Sequence, residues 1–234
     1  MKQFDRLSLI QMGKWIFLPM ALFGFLLPLC VGKEKLPNDV RWVRESNEYK
    51  GLCEQLFNQA RSAILKTTKV ERNRKDLAVV VDLDETVLNN SLYQVERWMA
   101  GLSFTQDSWS NWVNREEAEL VSGAKDFLIA VRKKGVRVIF LSNRMNSNLK
   151  PTQGNLEALG VLDPSDLFLL RENKSDTKEI RRKEVLAGTG RMKEIGPLKV
   201  IGYVGDQMGD FPNDRMADFG KINFLLPNPM YGKW

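Results

Sequence analysis

One apolar run, Leu77-Ala-Val-Val-Val81, most constrains how this chain can fold. Five consecutive apolar residues rich in valine are typical of a strand covered on both faces, as in a parallel sheet. Similar runs follow along the chain at 136–141, 167–170, 200–204 and 222–226. Helical patterns lie between them, such as the amphipathic stretch from Ser122 to Gly135. This alternation predicts an α/β fold, a doubly wound parallel sheet flanked by helices.

Two segments stand outside the alternation. From Trp42 to about Lys66, apolar residues recur every three or four positions, which predicts one long amphipathic helix. Residues 91–120 contain no clear strand and are rich in aromatic residues, namely Tyr93, Trp98, Phe104, Trp109 and Trp112. We interpret 91–120 as a small helical, aromatic-rich cap insertion after the first strand, with the N-terminal helix packed beside it.

The first 30 residues have the pattern of an export signal. Basic residues (Lys2, Arg6 and Lys14) precede a short apolar run at 15–29, which is too short and too interrupted for a comfortable membrane-spanning helix. We therefore predict a signal peptide or N-terminal anchor at 1–30, a polar linker at 31–40, and one domain at 41–234. Cys30 follows a leucine-rich stretch similar to a bacterial lipoprotein signal. Leu29 is larger than such signals prefer, so lipidation of Cys30 stays open.

The composition excludes several kinds of active site. The 234-residue chain has no histidine, which removes Ser–His triads, histidine phosphatases and most zinc sites. Neither cysteine, Cys30 or Cys53, is followed by an arginine six positions later, so the loop of a cysteine phosphatase is missing. The formal net charge is +6, but the basic residues are scattered. This distribution argues against a nucleic-acid polymer as partner and fits a mildly cationic pocket for small anions.

Polar motifs follow each of the first four predicted strands. They are Asp82-Leu-Asp-Glu-Thr86, Ser142-Asn-Arg144, Lys174-Ser-Asp-Thr-Lys178 and Gly205-Asp-Gln-Met-Gly-Asp210. Because ligands of open α/β sheets lie beyond the carboxyl ends of the strands, we expect these motifs to meet in one site. Several aspartates at one edge need a cation, and a histidine-free oxygen site suits Mg²⁺ rather than zinc.

Each motif also has a structural interpretation when it is taken alone. An Asp-x-Asp pair after a strand is often only a turn, and Ser-Asn-Arg is a common polar loop. Lys178, which stands close to Arg181, Arg182 and Lys183, could belong to a solvated helix face. The order of all four motifs at strand ends favours a site in which Ser142 and Lys178 hold a phosphate against the cation.

The four motifs in this order resemble the signature of haloacid-dehalogenase-type (HAD) phosphatases. Three further stretches make the chain similar to the class C acid phosphatases, the lipoprotein e group. They are Trp42-Val-Arg-Glu-Ser-Asn-Glu-Tyr49, the stretch from Asp82 to Asn90, and the ending Leu226-Pro-Asn-Pro-Met-Tyr-Gly-Lys-Trp234. The resemblance covers the chain from about residue 40 to its end and implies a HAD-like, Rossmann-type sheet.

The resemblance implies a role for each matching residue. Asp82 would be the nucleophile, and Asp84 the general acid and base. Mg²⁺ would be held by the Asp82 carboxylate, the Asp84 backbone carbonyl and Asp206, with Asp210 supporting it directly or through water. The phosphoryl group would be bound by Ser142, Asn143 and Lys178, while Asn143 and Arg144 also orient their loop. Lys174 can be aligned in place of Lys178, and we favour Lys178 because Glu179 and Arg181-Arg182 follow it.

The implied activity is Mg²⁺-dependent hydrolysis of small phosphate monoesters, with nucleoside monophosphates as the substrates of a 5′-nucleotidase-like enzyme. The implied location is the bacterial periplasm or outer membrane, through the N-terminal signal or a lipid at Cys30. A non-catalytic binding or storage protein on the same fold is the alternative, although the nucleophile Asp82 is present. A homodimer is compatible with the resemblance, and no residue pattern marks an interface.

Overall fold

The computed structural model describes residues 35–232, and a parallel β-sheet forms the centre of this part of the chain. The signal or anchor predicted at 1–30, with Cys30, and the first four residues of the predicted linker lie outside the described residues. Within 35–232, no helix combines the length and the apolar content that crossing a membrane requires.

The helices and strands alternate along most of the described chain. The α-helices are α1 (Asn38–Glu45), α2 (Asn47–Val70), α3 (Ser91–Met99), α4 (Gln106–Asn114), α5 (Ala124–Arg132), α6 (Leu149–Ala158) and α7 (Lys178–Ala187). The strands are β1 (Leu77–Val81), β2 (Leu88–Asn89), β3 (Glu119–Leu120), β4 (Arg137–Met145), β5 (Leu167–Arg171), β6 (Lys199–Gly205) and β7 (Asn223–Leu225). Short 3-10 helices occupy Asn146–Asn148, Gly190–Met192, Met208–Asp210 and Met216–Asp218.

The main sheet has five parallel strands in the order β5-β4-β1-β6-β7. β1 lies at its centre, where Val81 is in register with Phe140 of β4 and Val204 of β6. This arrangement places the carboxyl ends of β4 and β6 on either side of the residue that follows β1. The predicted α/β fold with a helix-flanked parallel sheet is confirmed.

The valine-rich strand β1 buries both of its faces, as the sequence predicts. Val79 and Val81 point into the cluster that contains Phe57 of α2 and Phe127 of α5, whereas Val80 points into the cluster on the opposite face. The rings of Phe57 and Phe127 lie 5.4 Å apart, so they join the two helices over the sheet. Burial on both sides fixes β1, and with it the position of the residues that follow it.

The N-terminal helical segment is interrupted where the sequence analysis predicts one helix. Ser46 has an extended backbone (φ −83°, ψ 140°) between α1 and α2, and its hydroxyl accepts a hydrogen bond from the Tyr49 backbone N–H. The hydroxyl satisfies a backbone donor that the start of α2 leaves free, so the helix restarts at this position. Trp42 therefore belongs to α1, which begins at Asn38, inside the predicted linker.

The predicted insertion is mainly helical and contains α3, α4 and β3. The strand β3 has two residues and pairs with β2 in an antiparallel fashion, so it is too short to leave a pattern in the sequence. Tyr93, Trp109 and Trp112 are buried against one another, with ring centroids 5.1 Å apart for Tyr93 and Trp109. These three aromatic residues join the insertion to the main hydrophobic core, because they belong to the same cluster as Phe57 and Phe127.

Replacing Phe127 with alanine tests the packing between α2 and α5. Phe127 is 1% exposed, and truncating such a ring leaves a cavity, so we expect the free energy of unfolding to fall by about 3–5 kcal/mol. Phe104→Ala is the matched control, because Phe104 is 61% exposed and should change stability by less than about 1 kcal/mol. Urea denaturation followed by circular dichroism measures both variants; similar losses would contradict this description of the core.

Candidate active site

Three aspartates meet at the carboxyl edge of the sheet. Asp82 follows β1, Asp206 follows β6, and Asp210 closes the 3-10 helix after β6. Each offers one carboxylate oxygen to a cluster whose atoms lie within 4.8 Å of one another, and all three residues are buried. The strand ends bring these carboxylates together because β1 and β6 are parallel neighbours.

Burial and mutual repulsion make this cluster electrostatically costly. Burial raises the pKa of Asp82 well above its usual range; Lys178 opposes the rise, while Asp210 and Asp206 add to it. Burial, followed by the charge of Asp210, raises the pKa of Asp206 to about 6. Like charges in a desolvated site resist ionisation together, so the cluster requires positive charge nearby.

Lys178 supplies part of that positive charge. It is the first residue of α7, and the Thr177 hydroxyl caps this helix by accepting the Ile180 backbone N–H. The Lys178 Nζ lies 2.6 Å from Asp82 Oδ1 and also contacts Asp210 Oδ1. Burial alone would lower the pKa of Lys178, but the two carboxylates raise it, so the side chain is held as an ammonium. Lys174 is exposed at the surface.

Asp84 has different partners, although it stands two residues from Asp82. Its Oδ1 accepts hydrogen bonds from Arg144 Nε (2.9 Å) and Asn90 Nδ2 (3.0 Å), and Arg144 NH2 lies 2.8 Å from the same oxygen. Trp112 in the insertion donates its indole N–H to Asn90 Oδ1 at 2.8 Å. Arg144 and Asn90 are buried, so this network fixes the orientation of the Asp84 carboxylate.

Ser142 lies at an irregularity near the end of β4. The pairing of β4 with β5 shifts register between Leu141 and Met145, a bulge of the kind that re-aims side chains beside sites. The Ser142 hydroxyl donates to Asp84 Oδ2 at 3.3 Å and accepts the Arg144 backbone N–H at 3.1 Å. The structure thus brings Ser142 next to Asp84. The strand was predicted to end at residue 141, but β4 continues to Met145, so Ser142 lies inside it.

Asn143, the residue between Ser142 and Arg144, is exposed. Its Oδ1 accepts a hydrogen bond from Arg181 NH2 at 2.8 Å, and Arg181 NH1 donates to the backbone carbonyl oxygens of Ser142 and Leu169. Arg181 is fully buried, and Arg182 is also buried and donates to the Gly209 carbonyl oxygen. The solvated-face interpretation therefore fails for both arginines, and it holds for Lys183, whose side chain is 72% exposed.

Asp206 is held by neutral donors. Its Oδ2 accepts hydrogen bonds from Asn228 Nδ2 at 2.7 Å and Gln207 Nε2 at 3.0 Å, while Thr86 Oγ1 lies 3.4 Å from Oδ1. Asp210 Oδ2 accepts the Gln207 backbone N–H at 2.9 Å. Gly205 permits this turn, because a side chain there would collide with the Asp210 carboxylate.

The donor set fits a hard divalent cation. Asp82, Asp206 and Asp210 present only oxygen ligands, which is the ligand type that Mg²⁺ prefers. Of the charged partners in direct contact, Lys178 and Arg144 supply two positive charges against the four aspartates, so two negative charges remain when all four are ionised. The Asp84 side chain stands apart from the cluster and is tied to Arg144.

The sequence analysis did not assign roles to several residues that contact the site. Asn90, Gln207, Asn228 and Arg181 hold its aspartates or its loops through the hydrogen bonds above. Asn90 and Asn228 lie inside two of the stretches that carry the family resemblance. Those stretches marked them as characteristic without indicating which carboxylate each one contacts.

Comparisons with known proteins agree with this geometry. The sequence profile of the HAD superfamily, subfamily IIIB (acid phosphatase), matches residues 30–234. The crystal structure of a class C acid phosphatase from Bacillus anthracis with tungstate bound is similar, with a TM-score of 0.72, 30% identity, and 84% of each chain covered.

Two plant proteins are also similar. The stem 31 kDa glycoprotein of Glycine max is 26% identical over 157 residues, and acid phosphatase 1 of Solanum lycopersicum is 26% identical over 156 residues. Each match covers 65% of this chain but only 58% and 57% of the relatives, so the chain spans less than two thirds of their length.

The resemblance to class C acid phosphatases that the motifs indicated is confirmed by the profile and by the Bacillus structure. The match extends from residue 30 to the last residue, and it includes the strand ends that carry all four aspartates. The chain therefore belongs to subfamily IIIB of the HAD superfamily, the acid phosphatases.

Proposed function

We propose that this protein is an Mg²⁺-dependent acid phosphatase that hydrolyses small phosphate monoesters through an aspartyl phosphate on Asp82. One observation carries the proposal: Asp82 lies at the end of the central strand with Lys178 on its Oδ1 and two further carboxylates within 4.8 Å. A carboxylate beside an ammonium and a cation site can attack a phosphoryl group whose negative charge is neutralised.

In the first step, the Asp82 carboxylate attacks phosphorus and the bond from phosphorus to the ester oxygen breaks. Lys178 and the Ser142 hydroxyl hold the phosphoryl oxygens, and Asp84 gives its proton to the leaving oxygen. Asp84 Oδ2 is suited to carry this proton, because Arg144 and Asn90 occupy Oδ1. Ser142, the proposed phosphoryl ligand, also lies on the Oδ2 side.

In the second step, Asp84 acts as a base. It removes a proton from water, the oxygen of that water attacks phosphorus, and the bond between phosphorus and Asp82 breaks to release inorganic phosphate. Asp84 regains in this step the proton it gave in the first, so no other acid or base is needed. The histidine-free sequence is compatible with such a cycle.

Asp82, Asp206 and Asp210 would hold the Mg²⁺, together with the Asp84 backbone carbonyl. When bound, Mg²⁺ supplies Lewis-acid neutralisation of the phosphoryl group and relieves repulsion among the carboxylates. The tungstate bound by the Bacillus anthracis relative supports an oxyanion site in this family, since tungstate and phosphate are both tetrahedral oxyanions.

We also propose that the substrates include monoesters with an aromatic ring, such as nucleoside monophosphates. The insertion adjoins the end of β4, because the Arg144 guanidinium lies 5.9 Å from the centre of the Trp109 ring. Phe104 packs against Trp109 at 6.2 Å and is 61% exposed, so its ring is free to stack on a planar group. Trp109 and Trp112 are buried in the main hydrophobic core.

Export, lipidation of Cys30 and a homodimer remain proposals that follow from the N-terminal pattern and the family. The alternative, a non-catalytic binding or storage protein on the same fold, would be expected to lack the nucleophile. The ion pair between Asp82 and Lys178 favours the enzyme.

Substitution of the nucleophile tests the central proposal. Asp82→Asn keeps the side-chain volume but removes the attacking oxygen anion, so hydrolysis of p-nitrophenyl phosphate at mildly acidic pH should fall by at least about 10⁴-fold. Asp126→Asn, on the exposed side of α5, is the matched control and should retain activity. Wild-type turnover should require Mg²⁺ and stop with a chelator. Turnover that survives in Asp82→Asn would refute the covalent mechanism.

Asp84→Asn tests the two roles of the acid–base residue. p-Nitrophenolate leaves without protonation, so phosphorylation of Asp82 should proceed, whereas hydrolysis of the aspartyl phosphate lacks its base and should stall. Stopped-flow absorbance should show a burst of about one p-nitrophenolate per active site, followed by slow turnover. Acid quenching should recover phosphate on the protein. A slow reaction without a burst would argue that Asp84 serves another purpose.

A substrate panel tests the aromatic preference. The kcat/KM for a nucleoside monophosphate should exceed that for glycerol phosphate, and Phe104→Ala should lower the former by roughly 5–150-fold, the equivalent of ~1–3 kcal/mol of stacking. Activity on glycerol phosphate is the internal control, because that substrate has no ring to stack. Equal losses on both substrates would remove Phe104 from substrate recognition.

A further inference from the structure

We propose that the C-terminal segment, residues 227–232, acts as a clamp that orients Asp206 for Mg²⁺, with Asn228 and Gln207 as its positioning residues. The inference rests on the proposed function, because it takes Asp82, Asp206 and Asp210 as the cation site. It gives a physical role to the Pro-Asn-Pro-Met-Tyr ending, which the mechanism above does not use.

Asp206 differs from Asp82 and Asp210 in the type of group that contacts its carboxylate. Lys178 forms ion pairs with Asp82 and with Asp210. Among residues 35–232, Asp206 has no such direct ion pair, and its side-chain partners are the amides of Asn228 and Gln207 and the Thr86 hydroxyl. Neutral donors orient a carboxylate without forming an ion pair with it, so the Asp206 side chain is held in place by groups that do not compete with a cation for its charge.

The two amides also decide which oxygen remains available. Both donate to Oδ2, at 2.7 Å and 3.0 Å, and a carboxylate oxygen accepts about two hydrogen bonds. Oδ2 is therefore saturated. Oδ1 has only the long 3.4 Å contact with Thr86, and we assign it as the oxygen that faces the cation. Outer hydrogen bonds of this kind commonly fix metal-binding carboxylates.

The clamp is rigid because Asn228 is held at both ends of its carboxamide. Its Oδ1 accepts the Met230 backbone N–H at 3.0 Å, which closes a local turn, while its Nδ2 reaches Asp206. Met230 packs against the main hydrophobic core, and prolines on both sides of Asn228 restrict the backbone. The turn therefore aims the amide at Asp206.

Gln207 forms the second attachment of the segment. Its Nε2 donates both to Asp206 Oδ2 and to the Tyr231 carbonyl oxygen, at 3.0 Å and 3.1 Å. The Gln207 side-chain amide thus both holds the C-terminal segment in place and orients Asp206. By linkage, a segment that favours the cation-binding orientation must in turn be stabilised when the cation binds.

The experiment measures Mg²⁺ binding to the full chain by isothermal titration calorimetry, without substrate. Asn228→Ala should raise the Mg²⁺ dissociation constant about 10-fold or more, the usual scale for loss of an outer partner. Gln207→Ala should weaken binding in the same direction, and it serves as a second variant if Asn228→Ala folds poorly. Asn58→Ala, an exposed asparagine on α2, is the matched control and should bind as the wild type does.

Hydrogen–deuterium exchange supplies a readout that depends on the segment itself. In the wild type, Mg²⁺ should slow exchange in the peptide that covers residues 226–232, and this protection should disappear in Asp206→Ala. At saturating Mg²⁺, kcat of Asn228→Ala should stay within a few-fold of wild type, because the clamp affects cation affinity rather than the phosphoryl contacts.

The outcomes separate this inference from the proposed function. Wild-type Mg²⁺ binding that Asp206→Ala abolishes, together with less than a twofold change in both folded amide variants, would overturn the clamp and leave the phosphatase proposal standing. A folded wild type that binds no Mg²⁺ would overturn both. A weakened affinity in Asn228→Ala, with normal binding in Asn58→Ala, would support the clamp.

Discussion

The crowding of carboxylates at the carboxyl edge of the sheet is the constraint on which the rest of the site depends. β1 and β6 are buried neighbours, so Asp82 and Asp206 cannot move apart without disrupting the core. An isolated buried charge is costly by several kcal/mol, and a buried ion pair repays that cost only with good geometry and further hydrogen bonds. The positions of Lys178 at the start of α7 and of Arg144 at the β4 bulge meet that requirement.

Each aspartate is given a different chemistry by its partners. Asp82 faces an ammonium, which stabilises its anion and would, in the proposed reaction, also neutralise the charge that develops on the phosphoryl group. Asp84 accepts hydrogen bonds from a guanidinium and an amide at Oδ1, while the Ser142 hydroxyl contacts Oδ2, the oxygen that would carry the proton in the proposed reaction. Asp206 is bound by neutral amides and, among residues 35–232, forms no direct ion pair. These three identical side chains thus have different surroundings, which suits them to different chemistry.

The sequence predicted the central sheet well, because each of its strands contains an apolar run; the four motifs lie at or just after the ends of those runs, and Ser142-Asn-Arg144 falls inside β4 rather than after it. Local features that depend on single side chains were missed. The break at Ser46 comes from one hydroxyl, β3 has only two residues, and the β4 bulge arises from pairing with β5. Burial of Arg181 could not be read from a charged helical stretch, because its partners are backbone carbonyls of distant strands.

The insertion and the C-terminal segment are remote in sequence, and each is hydrogen-bonded to a different aspartate of the site. The insertion reaches Asp84 through Trp112 and Asn90, and the C-terminal segment reaches Asp206 through Asn228 and Gln207. In the described part of the chain, these two sets of hydrogen bonds share no side chain. A change in the insertion is therefore expected to alter the orientation of Asp84 while Asp206 keeps its donors, and a change in the C-terminal segment is expected to do the reverse. With Asp84 and Asp206 in the roles proposed above, the insertion beside the proposed substrate site can vary while the proposed cation ligand keeps its hydrogen bonds.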